Sequence, residues 1–144
     1  MVKEITIDSS VLVSAFVKGD KFRSEARQVM KRIFSGEYRA TTSATVFVEV
    51  CGSISRRTSL DNATAVREQL IKWEDMNFIT YSELTVKRRN EAAELAVRLG
   101  LRGMDAIVVQ AAKEKNQVLI TFDEEAAEKI KGVVEVYTHK NLPL

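Results

Sequence analysis

The chain has 144 residues, 45% of them apolar and 29% charged, with a formal net charge of +2. That size and balance predict a soluble, globular, single domain over residues 1–144 with one hydrophobic core. They exclude a membrane-spanning protein, because no apolar run approaches about 20 residues, and a strongly basic nucleic-acid binder, though not a local basic surface.

Short strands alternate with longer helices along the chain. Lys3 to Ile7 reads as the first strand, and Val11 to Val17 as a short helix ending near Gly19. Lys21 to Phe34 is amphipathic, with Phe22, Ala26, Val29, Met30, Ile33 and Phe34 at helical spacing and Gly36 as the stop. Tyr38 to Thr41 is a strand. Ala44 to Arg57 is a helix with Val46, Phe47, Val50 and Ile54 on one stripe. Asn62 to Met76 is a helix carrying Val66, Leu70 and Trp73 inward, and Asn77 to Tyr81 a strand. Leu84 to Leu99 and Met104 to Lys115 are helices, Val118 to Phe122 a buried strand, Glu124 to Lys131 a short helix and Val133 to Tyr137 the last strand. There is no internal repeat or linker. Strands separated by helices imply parallel pairing with right-handed crossovers. The expected fold class is α/β, a three-layer α/β/α sandwich with a central parallel sheet of about five strands. In such folds ligands bind beyond the carboxyl ends of the strands, near the switch in strand order.

Cys51 is the one cysteine and His139 the one histidine. They preclude an internal disulfide and a zinc site within one chain. With no visible secretory signal, they fit a reducing, cytoplasmic compartment. Any metal site must be built from carboxylates and water. Asp8 ends the first strand, Asp123 follows "VLITF", Asp105 sits in the first turn of "GMDAIVVQAA", and Glu49 flanks the apolar stripe of its helix. Singly, each has a bland explanation: Asp8 and Asp123 as caps or turn residues, Asp105 at the positive end of a helix dipole, Glu49 in solvent. Jointly they fall at the functional edge of a parallel sheet. Carboxylates gathered without cations repel, and a hard ion such as Mg²⁺ or Mn²⁺ relieves that repulsion.

The stretches "TIDSSVLVSAF", "TTSATVFVEVCGSISRR" and "LGLRGMDAIVVQAAKEKNQVLITFDEEA" resemble the motifs of PIN-domain ribonucleases, with VapC-type toxins of toxin–antitoxin pairs the nearest subgroup. The resemblance covers nearly the whole chain from Ile5 onward. It implies a PIN-like fold and a Mg²⁺- or Mn²⁺-dependent endoribonuclease acting through metal-activated water. It implies Asp8, Glu49, Asp105 and Asp123 as the four acids. Asp8, Asp105 and Asp123 are the expected metal ligands, with Glu49 orienting or deprotonating the attacking water. Thr121 and Ser9 are expected to fix carboxylate rotamers. It also implies an RNA substrate, an antitoxin partner and a homodimer, with the helix of Leu70 and Trp73 offering part of the dimer surface. Alternatives with the same fold are a housekeeping PIN nuclease and a catalytically silent scaffold binding RNA or protein.

Arg102 is a candidate for an RNA phosphate, weighed evenly against a loop arginine in water. Arg56 and Arg57 read as a solvated helix end, Cys51 as a small core residue, Trp73 and Phe78 as packing or dimer contacts, and His139 as exposed and uninvolved. A response-regulator receiver domain needs an aspartate ending the third strand, and "MNFITYS" has none. An aspartyl-nucleophile phosphatase needs an acid where Ser10 stands.

Overall fold

Alternate residues of the first strand point to opposite faces, yet Ile5, Thr6 and Ile7 are all 0% exposed. Both faces of the sheet are therefore covered, as a parallel sheet requires. The computed structural model describes residues 2–143. Its strands are β1 (Lys3–Ile7), β2 (Tyr38–Ser43), β3 (Ile79–Ser82), β4 (Val118–Ile120) and β5 (Val136–Tyr137). They pair in parallel in the order β3-β2-β1-β4-β5. The helices are α1 (Ser9–Phe16), α2 (Arg23–Phe34), α3 (Ala44–Arg57), α4 (Leu60–Asp75), α5 (Val86–Leu99), α6 (Gly103–Glu114) and α7 (Glu124–Ile130). This is the expected three-layer α/β/α arrangement. None of the helices is long and apolar enough to cross a membrane.

Two polar residues in the central strands are matched across the sheet. Thr6 lies beside Thr41, and both hydroxyls donate to Gln117 Oε1, at 2.8 and 2.7 Å. Buried hydroxyls cost little when they are paired in this way.

The strand order fixes where chemistry can occur. β1 and β4 are neighbours, with Ile7 beside Ile120, while the chain leaves them for opposite halves of the sheet. The Asp8 N–H still donates to the Ile120 carbonyl at 3.0 Å. A crevice opens at such a switch point, and the segments after β1 and β4 line it. α3 touches both α1 and α6, which brings a third element to that edge.

β1 and α3 have the expected bounds at both ends; where other element ends differ, they do so by one to three residues. α1 begins at Ser9 because Asp8 is its N-cap. α4 begins at Leu60 and α5 at Val86 because Ser59 and Thr85 accept hydrogen bonds from Asn62 N and Arg88 N. β3 starts at Ile79 because Asn77 adopts φ 62°, a left-handed turn closing α4 that asparagine tolerates well. β5 is shorter than expected because Val133 N and Val134 N still bond back to Ile130 O. β4 stops at Ile120 because Phe122 N turns to the Ser10 hydroxyl, at 3.0 Å.

Three residues sit otherwise than the sequence suggested. Leu70 is 0% exposed and cannot offer dimer surface, while Trp73 is stacked on Phe16 with ring centroids 5.2 Å apart. Cys51 is only partly buried, at the margin of the core. His139 is not exposed: its ring stacks on Phe22 at 3.9 Å and Nε2 meets Glu124 Oε1 at 3.0 Å. Phe22 and Phe122 form an aromatic slot that the sequence spreads over 100 positions.

The cap of α5 provides a stability test away from the crevice. Thr85→Ala removes the bond to Arg88 N and is expected to cost about 1 kcal/mol. Thr85→Asp is expected to restore it. Urea midpoints at constant slope check both values.

Candidate active site at the strand switch point

Asp8 is 7% exposed at the end of β1. Its Oδ2 accepts from Ser10 N at 3.3 Å, Ser10 Oγ at 2.6 Å and Thr121 Oγ1 at 3.0 Å. Asp8 thus does cap α1, but all three bonds fall on one oxygen, leaving Oδ1 for another partner. Asp123 behaves alike. Its Oδ1 caps α7 by accepting from Ala126 N at 3.1 Å. The cap reading and a ligand reading are compatible for both residues, because a carboxylate has two oxygens.

Thr121 joins these two acids. Its hydroxyl donates to Asp8 and accepts from Asp123 N at 3.2 Å. Ser10 bridges in a similar way. Its hydroxyl donates to Asp8 and accepts from Phe122 N, tying the first turn of α1 to the segment after β4. Sequence reasoning missed this role of Ser10. Two hydroxyl residues directly after the acid were the available signal.

Glu49 comes from the middle of α3. It is half-buried and accepts a hydrogen bond from the Ser9 hydroxyl on α1. Asp105 comes from the first turn of α6 and is also half-buried. Its carboxyl is pushed up from 3.8 to about 6. Burial is the largest cause, followed by the charges of Asp8 and Asp123; Arg102 opposes them, and Glu49 adds a smaller upward push. Asp8, Asp123 and Glu49 thus all stand near enough to Asp105 for their charges to act on its carboxyl, but only Glu49 and Asp105 line the neighbouring cleft. Helix direction left the position of Asp105 open; the seating of α6 over β1 and β2 settles it.

A cleft of about 740 Å³ opens beside these groups, and Ser9, Glu49 and Asp105 are among the residues that line it. Arg102 lines it too, at the N-cap position of α6, with no capping bond from its side chain. Arg56 and Arg57 are exposed in the last turn of α3, the solvated helix end that the sequence suggested, and both also line this cleft. Arg57 is held by Asp20, Nη2 to Oδ1 at 3.0 Å. Burial tends to raise the Asp20 carboxyl, but hydrogen bonds from Phe22 N, Arg57 and Ser14 hold it below its ordinary value. Sequence reasoning missed Asp20 as well, because only the fold brings it to the end of α3.

The donor set beside the cleft is all oxygen, which suits a hard divalent cation and not zinc. Among the described residues, no three Asp, Glu, His or Cys side chains are grouped closely enough to enclose an ion unaided. A cation that keeps several of its waters fits such an open set.

The chain belongs to the PIN-domain family, whose model matches residues 5–132. Solved structures share its fold. VapC20 of Mycobacterium tuberculosis, a toxin that cleaves the Sarcin-Ricin loop, has a TM-score of 0.71 at 22% identity, covering 92% of this chain and 98% of that one. VapBC2 of Rickettsia felis, bound to a promoter DNA fragment, has a TM-score of 0.69 at 13% identity, over 96% and 98%. A toxin–antitoxin complex from Klebsiella pneumoniae has a TM-score of 0.64 at 17% identity, over 96% and 99%. A search of curated proteins finds no match.

Proposed function

We propose that this chain is a Mg²⁺- or Mn²⁺-dependent endoribonuclease, the toxin of a toxin–antitoxin pair. The observation that carries the reading is the position of Asp105, a carboxyl raised to about 6 by burial and by Asp8, Asp123 and Glu49 around it, in a PIN-domain chain. Four acids held against their mutual repulsion are costly unless a cation joins them. The toxin part rests on the structural neighbours, several of which are toxins or toxin–antitoxin complexes.

In this reading Asp8, Asp105 and Asp123 would hold the ion, the cap on Asp8 leaving its Oδ1 without a hydrogen bond. A bound divalent ion lowers the pKa of water and neutralises charge on a phosphoryl oxygen. The chain's own groups do the rest. Glu49, fixed by Ser9, orients the attacking water and accepts its proton. Thr121 and Ser10 lock the Asp8 rotamer, as residues behind metal ligands do. Arg102 meets an RNA phosphate at the cleft and tempers the charge on Asp105. Water adds to phosphorus as one phosphorus–oxygen bond to ribose breaks, the departing ribose oxygen taking a proton from solvent, so no protein nucleophile is required. We further propose an antitoxin as the physiological restraint and a homodimer as the working form, with Trp73 retained as a candidate contact and Leu70 withdrawn.

The test is cleavage of labelled RNA by purified protein, with Mg²⁺, with Mn²⁺ and with chelator. Cutting that requires a divalent ion is expected. A folded protein that cuts neither structured nor single-stranded RNA with either ion leaves the silent-scaffold reading. A small DNA-binding reading frame immediately upstream is the genetic counterpart; its absence favours a housekeeping nuclease.

A further inference from the structure

The cleft that Glu49 and Asp105 line has further lining besides the acids. Val13 of α1 and Ile107 and Met104 of α6 are apolar. Arg56, Arg57 and Arg102 are cationic. Arg57 is committed to Asp20. Arg56 makes no ion pair or side-chain hydrogen bond among the described residues, although it stands one position away.

Gly52 leaves room for the Arg56 side chain along α3. Glu49, Ser53 and Arg56 follow one another at helical spacing and line the same cleft. Side chains on a helix lean toward its N-terminus, here toward Glu49. Gly52 clears the path: a Cβ at that position would lie 3.2 Å from Arg56 Nη1. The guanidinium therefore lies back along α3 over the glycine, on the acid side of the helix end.

Resting on the ribonuclease reading, we propose that Arg56 is a substrate-positioning residue that receives a phosphate of single-stranded RNA next to the phosphate that is cut. A polyanion approaching four carboxylates needs a nearby cation, and a net charge of +2 supplies no general attraction. A free guanidinium matches phosphate with two parallel hydrogen bonds. The apolar lining beside it suits an unstacked base, which a single strand turns outward without breaking a base pair, whereas a duplex must first unpair and unstack it. The cleft volume of about 740 Å³ lies in the range of small-ligand sites.

Binding is measured by anisotropy on the full chain carrying Asp8→Asn, which spares the RNA, with a fluorescein-labelled, mixed-sequence single strand in Mg²⁺. Adding Arg56→Gln is expected to weaken binding about tenfold. It is also expected to reduce the slope of log affinity against log salt by about 0.7. Arg56→Lys keeps the slope but recovers only part of the affinity, because it lacks the planar fork. Gly52→Ala, whose Cβ asks the guanidinium to give by only a few tenths of an ångström, is expected to change binding far less than Arg56→Gln. Arg39→Gln removes the same charge near the amino end of β2, where Arg39 faces Glu4, and leaves binding unchanged. With the acids intact, Arg56→Gln raises KM for cleavage and leaves kcat near parental. Parental affinity and salt slope in Arg56→Gln, with cleavage intact in the parent, overturn the phosphate contact and leave the nuclease standing. Binding without cleavage in either ion overturns the nuclease, while the Arg56 comparison still decides the contact. A chain that neither binds nor cuts overturns both.

Discussion

Asp8→Asn is expected to leave the fold intact and to reduce RNA cleavage by about 100- to 1,000-fold, the loss typical of removing a preorganised electrostatic group. The structure makes the two halves of this expectation separable. Every hydrogen bond to the Asp8 side chain ends on Oδ2, and an asparagine carbonyl, with two lone pairs, can keep the two shorter ones, from Ser10 Oγ and Thr121 Oγ1. Asparagine is also as good an N-cap as aspartate. The other oxygen becomes an amide N–H₂, which donates and cannot bind a cation. Repulsion with Asp105 falls at the same time, so the melting temperature holds or rises slightly. Thermal melting and cleavage with Mg²⁺ or Mn²⁺ are read on the same preparation. Parental cleavage by a folded Asp8→Asn variant would reduce Asp8 to a helix cap. Thr121→Val serves as a graded companion. It removes the hydroxyl that joins Asp8 to Asp123 N but no charge. A loss of about 10- to 100-fold is expected, as for other partners of metal ligands.

The parts of this site that were legible in the sequence are those set by local pattern. Asp8 and Asp123 each follow a short apolar strand, and parallel α/β sheets bring such positions to one edge. Glu49 stood out because it flanks a stripe of Val46, Phe47, Val50 and Ile54. The resemblance to PIN motifs then supplied their order. What pattern could not supply was distance between helices. The contact of α3 with α6 lets Glu49 and Asp105 line one cleft, and Arg56 and Arg57, at the solvated end of α3, line it as well. Asp20 and Arg57 are 37 positions apart, and neither is unusual alone. His139 misled for a similar reason: its slot is assembled from Phe22 and Phe122. The strand ends misled where one side chain or one turn redirects the backbone, as Ser10 does for Phe122 and Asn77 does before β3.

In chelator, raising the pH from 4 to 7.5 is expected to cost the parental protein stability that the Asp105→Asn variant does not lose. The folded chain keeps the Asp105 proton up to about pH 6, while the unfolded chain releases it near 3.8. Between those values the folded state binds more protons, so its stability falls as pH rises. The contribution is fully present below pH 3.8 and gone once pH has passed through about 6. A displacement of this size corresponds to at most about 3 kcal/mol. Solvent reaches the half-exposed carboxylate, so on the order of 1 kcal/mol is expected to remain. Asparagine has no proton to release, and the difference between parent and variant should open across this window. Mg²⁺ acts in the opposite sense above pH 6, because an ion that binds only the folded chain stabilises it by about 1.4 kcal/mol at tenfold over its Kd. That gain should be absent in Asp105→Asn. Urea midpoints at pH 4.5, 6 and 7.5, with chelator and with Mg²⁺, supply the comparison. Parallel curves for parent and variant under all conditions would mean that the four acids do not share their charge. Arg102→Gln gives the converse check. Arg102 draws the Asp105 carboxyl downward, so its loss moves the window of falling stability to higher pH.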